Sequence, residues 1–307
     1  MSGVVVAMCT YNAAKYIGEQ LDSLLNQSYD NFKIVIYDDC SSDDTVDIIR
    51  KNMDKDNRIE LHVNEENLGP ALNFKSIVQG CSGADYLFLC DQDDVWDLHK
   101  IETMLNTVRE KESIDNKPYL IAHNYNISDE NNVVLYKKCI QSVYFYDLIM
   151  KPQIPGCCML LNHAALQLVK WNKCNISMHD WYISLIIALY GEIVIVDEPL
   201  INYRQHANNQ IGCKKYSKFD RIKMAVNDNK KIKNYSKLLE QLYAVGVNYP
   251  QCQFLSDYNR NYEKRNSNGV IKLFFDNGVL SRDVHGIYQV YIIKKAMKNI
   301  ELFQDKR

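Results

Sequence analysis

The sequence predicts an α/β protein with a mainly parallel central sheet flanked by helices. Apolar runs and amphipathic segments alternate four times up to residue 112, which is the pattern of such sheets. The apolar runs are nearly continuous, as expected of strands buried on both faces. Polar and acidic residues follow three of these runs, where open α/β sheets bind their ligands. The chain has 307 residues, of which 47% are hydrophobic, enough for one large domain or two smaller ones.

The first two strand–helix pairs follow from β-branched runs and from helical spacing. GVVVAMCTYN begins as a buried strand, and we expect Asn12 to cap the helix AAKYIGEQLDSLLNQS. Ile17, Leu21 and Leu24 share one face of that helix. FKIVIYDD is the second strand, and SSDDTVDIIRKNM is the second helix, for which Ser42 is a plausible cap.

The third and fourth pairs are RIELHVN with GPALNFKSIVQGC, and DYLFLC with DLHKIETMLNTVREKE. Pro70 falls in the first turn of the third helix, where its missing N–H costs nothing. The pattern is mixed from Tyr119: we expect strands in YLIAHNYNIS and GCCMLLN, helices in NHAALQLVKW and HDWYISLIIALYG, and a strand–turn–strand in EIVIVDEPLINYR. From Cys213 the chain reads as helices rich in Lys and Tyr, a helical C-terminal extension.

Composition favours a soluble, intracellular protein. Apolar stretches such as ISLIIALY are too short to cross a bilayer, and the N-terminus lacks the pattern of a signal peptide. None of the ten cysteines forms a CxxC pair, so neither a zinc site nor a thioredoxin-type motif is indicated. Reduced thiols fit the cytoplasm.

Two acidic segments follow predicted strands. In YLFLCDQDDVW, Asp91, Asp93 and Asp94 come directly after a buried strand. Carboxylates so placed suit Mg²⁺ or Mn²⁺, which commonly binds protein carboxylates and substrate phosphates together. The alternative is that they cap the next helix. DDCSSDDT, which begins at Asp38, is either a capped turn or, beside the first segment, part of a nucleotide site.

Four segments in succession resemble family 2 glycosyltransferases with the GT-A fold: VAMCTYNAAKYIGEQLDSLLNQS, IYDDCSSDDT, NLGPALNFKSIVQG and YLFLCDQDDVW. The likeness continues more loosely through PGCCMLL, MHDW and YRQHANNQIG to residue 212. CDQDDVW and YRQH look most like the rhamnosyltransferase-type branch. The resemblance implies a catalytic domain over 1–212, with a nucleotide-binding half (1–100) and an acceptor half (101–212), followed by a basic helical region (213–307).

The resemblance also implies roles for individual residues. Nucleotide contacts carry over to the two strand-end segments: Thr10, Tyr11, Asn12, Asp38, Asp39 and Asp91. The family's DxD motif matches Asp91 and Asp93, which would bind the cation, and His206 is a candidate third ligand. Contacts with donor or acceptor are expected from five further residues: Asp94, Trp96, His179, Trp181 and Arg204. The stretch HANNQIG resembles a loop that closes over the donor.

An inverting transfer needs a base for the acceptor hydroxyl. The family places an acidic pair at the start of a helix beyond the sheet, and the matching segment is SMHDWYISL. Asp180 is therefore the candidate base, and His179 replaces the first acid of the pair. The alternatives are that Ser177 or Asp180 caps this helix, and that Trp181 is a core residue and not a platform for the acceptor sugar.

Charge divides the chain into an acidic body and a basic tail. Residues 1–212 carry 17 Lys and Arg against 29 Asp and Glu, whereas residues 213–307 carry 19 against 9. The tail suits an anionic membrane surface, such as the inner face of the cytoplasmic membrane, or packing on the catalytic domain or on a second copy in a homo-oligomer. Nucleic acid is not an expected partner, because no base-reading motif accompanies the charge.

The sequence therefore predicts an inverting, metal-dependent glycosyltransferase of cell-surface polysaccharide synthesis. Its donor would be a nucleotide diphosphate sugar such as dTDP-rhamnose, and its acceptor a glycan or a lipid-linked glycan. One alternative is a haloacid-dehalogenase-type phosphatase, because LFLCDQDDV resembles that signature with Asp91 as nucleophile and Asp93 as acid/base. Another is a non-catalytic module that binds nucleotide sugars.

Overall fold

The computed structural model describes residues 3–141, 143–150, 152–171, 178–206, 228–280, 289–290 and 293–297. The chain divides into two compact units. The first unit comprises residues 1–143, 152–169 and 178–212, and the second comprises residues 144–151, 170–177 and 213–307.

The described residues of the first unit form one sheet of nine strands. Their bounds are β1 Val4–Thr10, β2 Phe32–Asp38, β3 Ile59–Val63, β4 Tyr86–Cys90, β5 Val95–Trp96, β6 Tyr119–Ser128, β7 Val134–Lys138, β8 Met159–Asn162 and β9 Glu192–Arg204. The order across the sheet is β3-β2-β1-β4-β8-β6-β9-β5, and β7 pairs with β6.

In the described part of the chain the sheet is mixed, with four parallel and four antiparallel strand pairings, and the parallel pairings are the longer ones, as expected of the predicted fold. β1 to β4 pair in parallel, and so do β6 and β9. β8 lies between β4 and β6 and runs antiparallel to both, and β5 and β7 are also antiparallel to their partners. β1 is buried along its whole length because strands flank it on both sides.

Helices connect the strands of the first unit. Their bounds are α1 Ile17–Leu25, α2 Thr45–Met53, α3 Pro70–Gly80, α4 Lys100–Glu112, α6 His163–Leu168 and α7 His179–Tyr190. In α1 the predicted apolar face is confirmed, because Ile17, Leu21 and Leu24 are fully buried in the core. A short 3-10 turn, Gly156–Cys158, leads into β8.

Three local predictions are wrong. α1 begins at Ile17, and Asn12 takes a left-handed conformation (φ 48°) and accepts a hydrogen bond from Ser42 N instead of capping the helix. Ser42 therefore does not cap α2; the carboxylate of Asp43 accepts the Thr45 N–H at the start of that helix. EIVIVDEPLINYR is one continuous strand, because a shift of register against β6 takes up the turn-like residues before Pro199.

The second unit contributes α5 Phe145–Met150, α8 Asp228–Asn248, α9 Gln253–Glu263 and α10 Ser267–Asp276. Aromatic rings hold it together: Phe254 contacts Phe145 edge-on, and Phe274 stacks on Phe254 and Tyr258. The first part of the predicted basic tail, residues 213–227, lies outside the described residues. Across the described ranges, no helix is both long enough and apolar enough to traverse a bilayer.

Candidate active site

The candidate site lies at the carboxyl ends of β2, β1 and β4, which are neighbours in the sheet. The register places Thr10 opposite Asp38, and Asp91 directly follows β4. Cys9 lies near both acidic segments: burial raises the pKa of its thiol, and the charges of Asp91 and Asp39 raise it further. The two acidic segments therefore meet at one edge of the sheet.

Asp38 connects the end of β1 with the loop that follows β2. Its carboxylate accepts hydrogen bonds from Thr10 Oγ1 at 2.7 Å, Ser41 N at 2.8 Å and Ser41 Oγ at 2.6 Å. Its side chain is fully buried. We therefore expect Thr10 and Asp38 to shape the loop that carries the nucleotide contacts, not to contact the nucleotide themselves.

Asp39 is held by the segment that leads into α3. Asn64 Nδ2 and Leu68 N donate to one carboxylate oxygen at 2.9 and 2.8 Å, and Gly69 N donates to the other at 2.8 Å. Gly69 has a φ of +79°, which favours glycine. Asp39 is 3% exposed, so these donors fix its direction at the edge of the sheet.

The loop after β1 is tied to the acidic motif by a residue that the sequence analysis missed. Gln92 accepts a hydrogen bond from Tyr11 N at 2.6 Å and donates one to Tyr11 O at 3.2 Å. The Tyr11 side chain is left exposed, available to lie against a base or sugar. Asn12 N donates to Ser41 Oγ at 2.8 Å. Side chains thus fix the backbone of the predicted nucleotide loop.

Asp91, Asp93 and Asp94 do not cap a helix, because α4 begins six residues beyond Asp94. Asp91 is partly buried, and its pKa is raised to about 7, first by burial and then by the charges of Asp93 and Asp180. Asp94 is buried, and burial followed by the charges of Asp93 and Asp91 raises its pKa well above the usual range. Carboxylates this close together and partly or fully buried favour a bound cation.

His206 lies beside the second Asp of the motif. Its Nε2 is 2.7 Å from Asp93 Oδ2, and its ring stacks on Tyr16 with the centroids 4.6 Å apart. The side chains of His206 and Asp93 are mostly buried, at 8% and 15% exposed respectively. The structure therefore brings together two of the predicted metal ligands that are 113 positions apart in the sequence.

Arg204 is held by other groups of the protein. Its backbone N–H donates to Asp94 Oδ1 at 3.1 Å, its Nε donates to Asp93 O at 2.8 Å, and its Nη1 donates to Glu130 O at 2.7 Å. Its Nη2 pairs with Glu19 at 2.5 Å. The side chain is 2% exposed. We therefore expect Arg204 to orient the DQDD segment and not to contact the ligand.

Asp180 lies in the first turn of α7 and is close enough to Asp91 for its charge to raise the Asp91 pKa. Burial raises the pKa of Asp180 to about 6, while hydrogen bonds from the backbone of Trp181 and Gly156 oppose the shift. The Trp181 N–H donates to Asp180 Oδ1 at 2.7 Å. The residue before the helix, Met178, makes no side-chain cap. Ser177, the other candidate cap, lies outside the described residues.

His179 lies between a ring and a turn. It stacks on Phe74 with the centroids 3.8 Å apart, and burial lowers its pKa to about 3, so the imidazole is neutral. A Cβ on Gly156 would lie 2.7 Å from His179 Nε2 and 3.6 Å from Asp180 Cβ. Gly156 is therefore required for this close approach, a role that the sequence analysis did not assign.

The two tryptophans of the predicted site are core residues. Trp96 and Trp181 are 4% and 5% exposed. Trp96 packs against Phe88 and belongs to the main core cluster. We therefore expect both rings to support the site and not to touch donor or acceptor. The stretch expected to close over the donor, HANNQIG, lies outside the described residues after His206.

Comparisons with known proteins agree with this geometry. The sequence model described as "Glycosyl transferase family 2" matches residues 5–174. The dTDP-rhamnosyl transferase RfbG of Shigella flexneri is 28% identical over 67% of this chain and 74% of its own length.

Two solved structures share the fold. TarS of S. aureus, in complex with UDP, has a TM-score of 0.55 at 15% identity, over 92% of this chain and 94% of that one. The mannosyltransferase PcManGT from Pyrobaculum calidifontis, in complex with GDP-Man and Mn²⁺, has a TM-score of 0.55 at 13% identity, over 99% of this chain and 88% of that one. The expected GT-A fold is confirmed.

Proposed function

The chain belongs to glycosyl transferase family 2, and we propose that it is an inverting, divalent-cation-dependent member that uses a nucleotide diphosphate sugar. The observation that carries this proposal is the contact of His206 with Asp93 in the acidic segment that also holds Asp91, with Asp180 close enough to raise the Asp91 pKa. In this proposal the donor diphosphate binds beside the acidic motif and the loop after β1, and the acceptor binds beside Asp180.

The donor nucleotide is bound by the loop after β1 and by Asp39. The exposed Tyr11 ring offers an apolar face to the base or ribose. Asp39, already oriented by Leu68 N and Gly69 N, accepts hydrogen bonds from the base or a ribose hydroxyl. These residues bind the donor in one orientation, which a displacement reaction requires.

Among the described residues, ligand atoms of Asp91, Asp94 and Cys157 lie within 4.8 Å of one another, and Asp93 and His206 would complete a divalent-cation site beside them. Carboxylates are the ligands that Mg²⁺ and Mn²⁺ prefer, and burial together with the charges of Asp93 and Asp180 raises the pKa of Asp91, so a bound cation would favour its ionised form. A bound cation supplies positive charge to offset the charge of the leaving diphosphate. Arg204 keeps the carboxylates in place by binding the Asp93 carbonyl and the Asp94 side chain.

Asp180 accepts the proton of the acceptor hydroxyl as its oxygen attacks the anomeric carbon. The new C–O bond forms on the face opposite the diphosphate, and the bond from the anomeric carbon to the diphosphate oxygen breaks. A pKa of about 6 leaves Asp180 ionised at neutral pH and basic enough for this task. Neutral His179 beside it orients the acceptor without adding charge.

The donor and acceptor follow from likeness. The similarity to RfbG favours dTDP-rhamnose as donor, and the proposal takes a glycan or lipid-linked glycan of a cell-surface polysaccharide as acceptor. The UDP and GDP-Man complexes of TarS and PcManGT give the next nucleotides to test. The basic residues from 213 onward would bring the enzyme to an anionic membrane carrying such an acceptor.

A thermal-shift panel tests the proposal. We expect dTDP-, UDP- or GDP-sugars to raise the unfolding temperature of the wild type only when Mn²⁺ or Mg²⁺ is present. Asp93→Ala should fold, lose this shift and lose transfer. A wild-type rate in that variant contradicts the cation site. Release of phosphate from simple monoesters would favour the phosphatase alternative, although in this fold the DQDD motif follows β4 and not the first strand.

A further inference from the structure

A buried lysine lies beneath the acidic motif. Lys100 is the first residue of α4, and its side chain is fully buried. Its Nζ donates to Cys157 O at 2.6 Å and lies 3.5 Å from the centroid of the Trp96 ring. Burial lowers the pKa of Lys100, and the charge of Asp94 is among the effects that oppose this shift. A buried ammonium group costs several kcal/mol unless neighbouring groups compensate it.

The carbonyl that Lys100 holds belongs to a turn that touches the site on two sides. In the turn Gly156–Cys158, the Gly156 backbone hydrogen-bonds to the Asp180 carboxylate. On its other side, the Cys157 thiol lies within 4.8 Å of carboxylate oxygens of Asp91 and Asp94. The turn therefore spans the space between the proposed base and the acidic motif.

Lys100 also affects the charge of this region. Its positive charge lowers the pKa of Asp91 and of buried His123. Burial is the main cause that lowers the His123 pKa well below its usual value, so this ring stays neutral. Lys100 is thus the cation that the core presents to the underside of the acidic motif.

We propose that Lys100 is a positioning residue for sugar transfer: its ammonium group fixes the Gly156–Cys158 turn, and this turn sets the place of Asp180 relative to Asp91. The inference rests on the proposed function, because it concerns the alignment of the proposed base with the proposed cation site. Lys100 touches neither donor nor acceptor. Its effect on the reaction passes through the Cys157 carbonyl.

Lys100→Met tests this role, because methionine fills the space and removes the charge and the donor. The replacement leaves the Cys157 carbonyl without its donor and the buried Asp94 without a nearby positive charge, and removing one partner of a buried charged group is destabilising, so we expect the unfolding temperature to fall. We expect kcat to fall at least tenfold, because the turn loses its anchor, while the KM for the donor changes less than threefold. Lys100→Gln keeps an N–H donor for the Cys157 carbonyl and should recover part of the lost kcat.

Mn²⁺ binding in the presence of a nucleoside diphosphate, measured by electron paramagnetic resonance, gives a readout independent of turnover. Loss of a nearby positive charge should leave this affinity unchanged or tighten it in Lys100→Met. Lys111→Met on the same helix, where the side chain is 35% exposed and pairs with Glu192, is the matched control and should keep wild-type kinetics.

Two results overturn the inference: wild-type kcat in Lys100→Met, or a Lys100→Gln variant no better than Lys100→Met. If Lys100→Met does not fold, Lys100→Gln is compared with the wild type instead, and a wild-type kcat in Lys100→Gln overturns the inference. Wild-type protein that binds no nucleotide with Mn²⁺ and transfers no sugar refutes the proposed function itself, which separates the two failures.

Discussion

The replacement Asp180→Asn removes the proposed base and preserves the shape of the side chain and its bond to the Trp181 N–H. General base catalysis contributes about 10²- to 10⁴-fold, so we expect kcat to fall by that factor, equivalent to about 3 to 5 kcal/mol of barrier. Calorimetry should show unchanged donor affinity, because Asp180 acts on the acceptor. A product assay with the best donor from the thermal-shift panel measures the loss.

The pH profile of the wild type carries the same argument. Burial raises the pKa of Asp180 to about 6, and only the ionised carboxylate accepts the proton. We therefore expect kcat/KM to be half of its plateau near pH 6 and about a tenth of it near pH 5. The residual activity of Asp180→Asn should lack this acid limb.

Stability should change in the opposite direction to activity. The pKa of Asp180 is higher in the folded protein (about 6) than the ordinary aspartate value of 3.8, so the ionised form destabilises the fold above pH 6 and costs nothing below about pH 4. Two pKa units correspond to about 3 kcal/mol, and partial exposure reduces this to about 1 to 2 kcal/mol. At pH 8 the Asn variant should therefore unfold about 2 to 8 °C higher, and this gain should vanish as the pH falls to 4.

The matched control is Asp22→Asn, an exposed carboxylate on α1. It should leave activity, the acid limb and stability unchanged. The reasoning is refuted if Asp180→Asn turns over at the wild-type rate, or if it is less stable than the wild type at pH 8.

Three further predictions concern the remaining parts of the site. Gly156→Ala places a Cβ 2.7 Å from His179 Nε2 and should lower kcat more than tenfold in the transfer assay, whereas Gly18→Ala, with open space around its Cβ, should stabilise α1 by about 0.5 to 1 kcal/mol in chemical denaturation. Asp39→Asn turns an acceptor of the Gly69 N–H into an amide and should cost about 1 to 3 kcal/mol of unfolding free energy and weaken nucleotide binding in calorimetry; unchanged values would refute its role. Chelation by EDTA should abolish transfer, and added Mn²⁺ should restore it; full activity in EDTA would exclude the cation.

The sequence predicted the parts of the fold that depend on local pattern. The runs around β1, β2 and β4 are apolar enough to identify strands buried on both faces, and parallel pairing then brings Asp38 and Asp91 to the same edge. It could not show that β8 lies antiparallel between β4 and β6, because four apolar residues carry no signal for strand direction. β5 has only two residues and owes its existence to its pairing with β9.

The side-chain contacts of the site were predictable in type and not in detail. The clustering of Asp91 and Asp93 follows from two nearby positions, whereas Gln92, Cys157 and Lys100 act through partners distant in the sequence. The burial of Arg204 depends on Glu19, which is 185 positions away. Long-range packing, which no periodicity encodes, decides whether a charged residue faces a ligand or supports one.

The placement of β8 also has a consequence for protein engineering. A chimera joined at residue 100 would take β4 and β5 from one parent and β8 and β9 from the other. The β4–β8 pair and the β5–β9 pair would then each have to form between strands of different parents. The nucleotide-binding half and the acceptor half therefore cannot be exchanged between parents at residue 100 without changing these two strand pairings. Exchanges confined to the loops beyond the strand ends leave every strand of the sheet paired with a strand from the same parent.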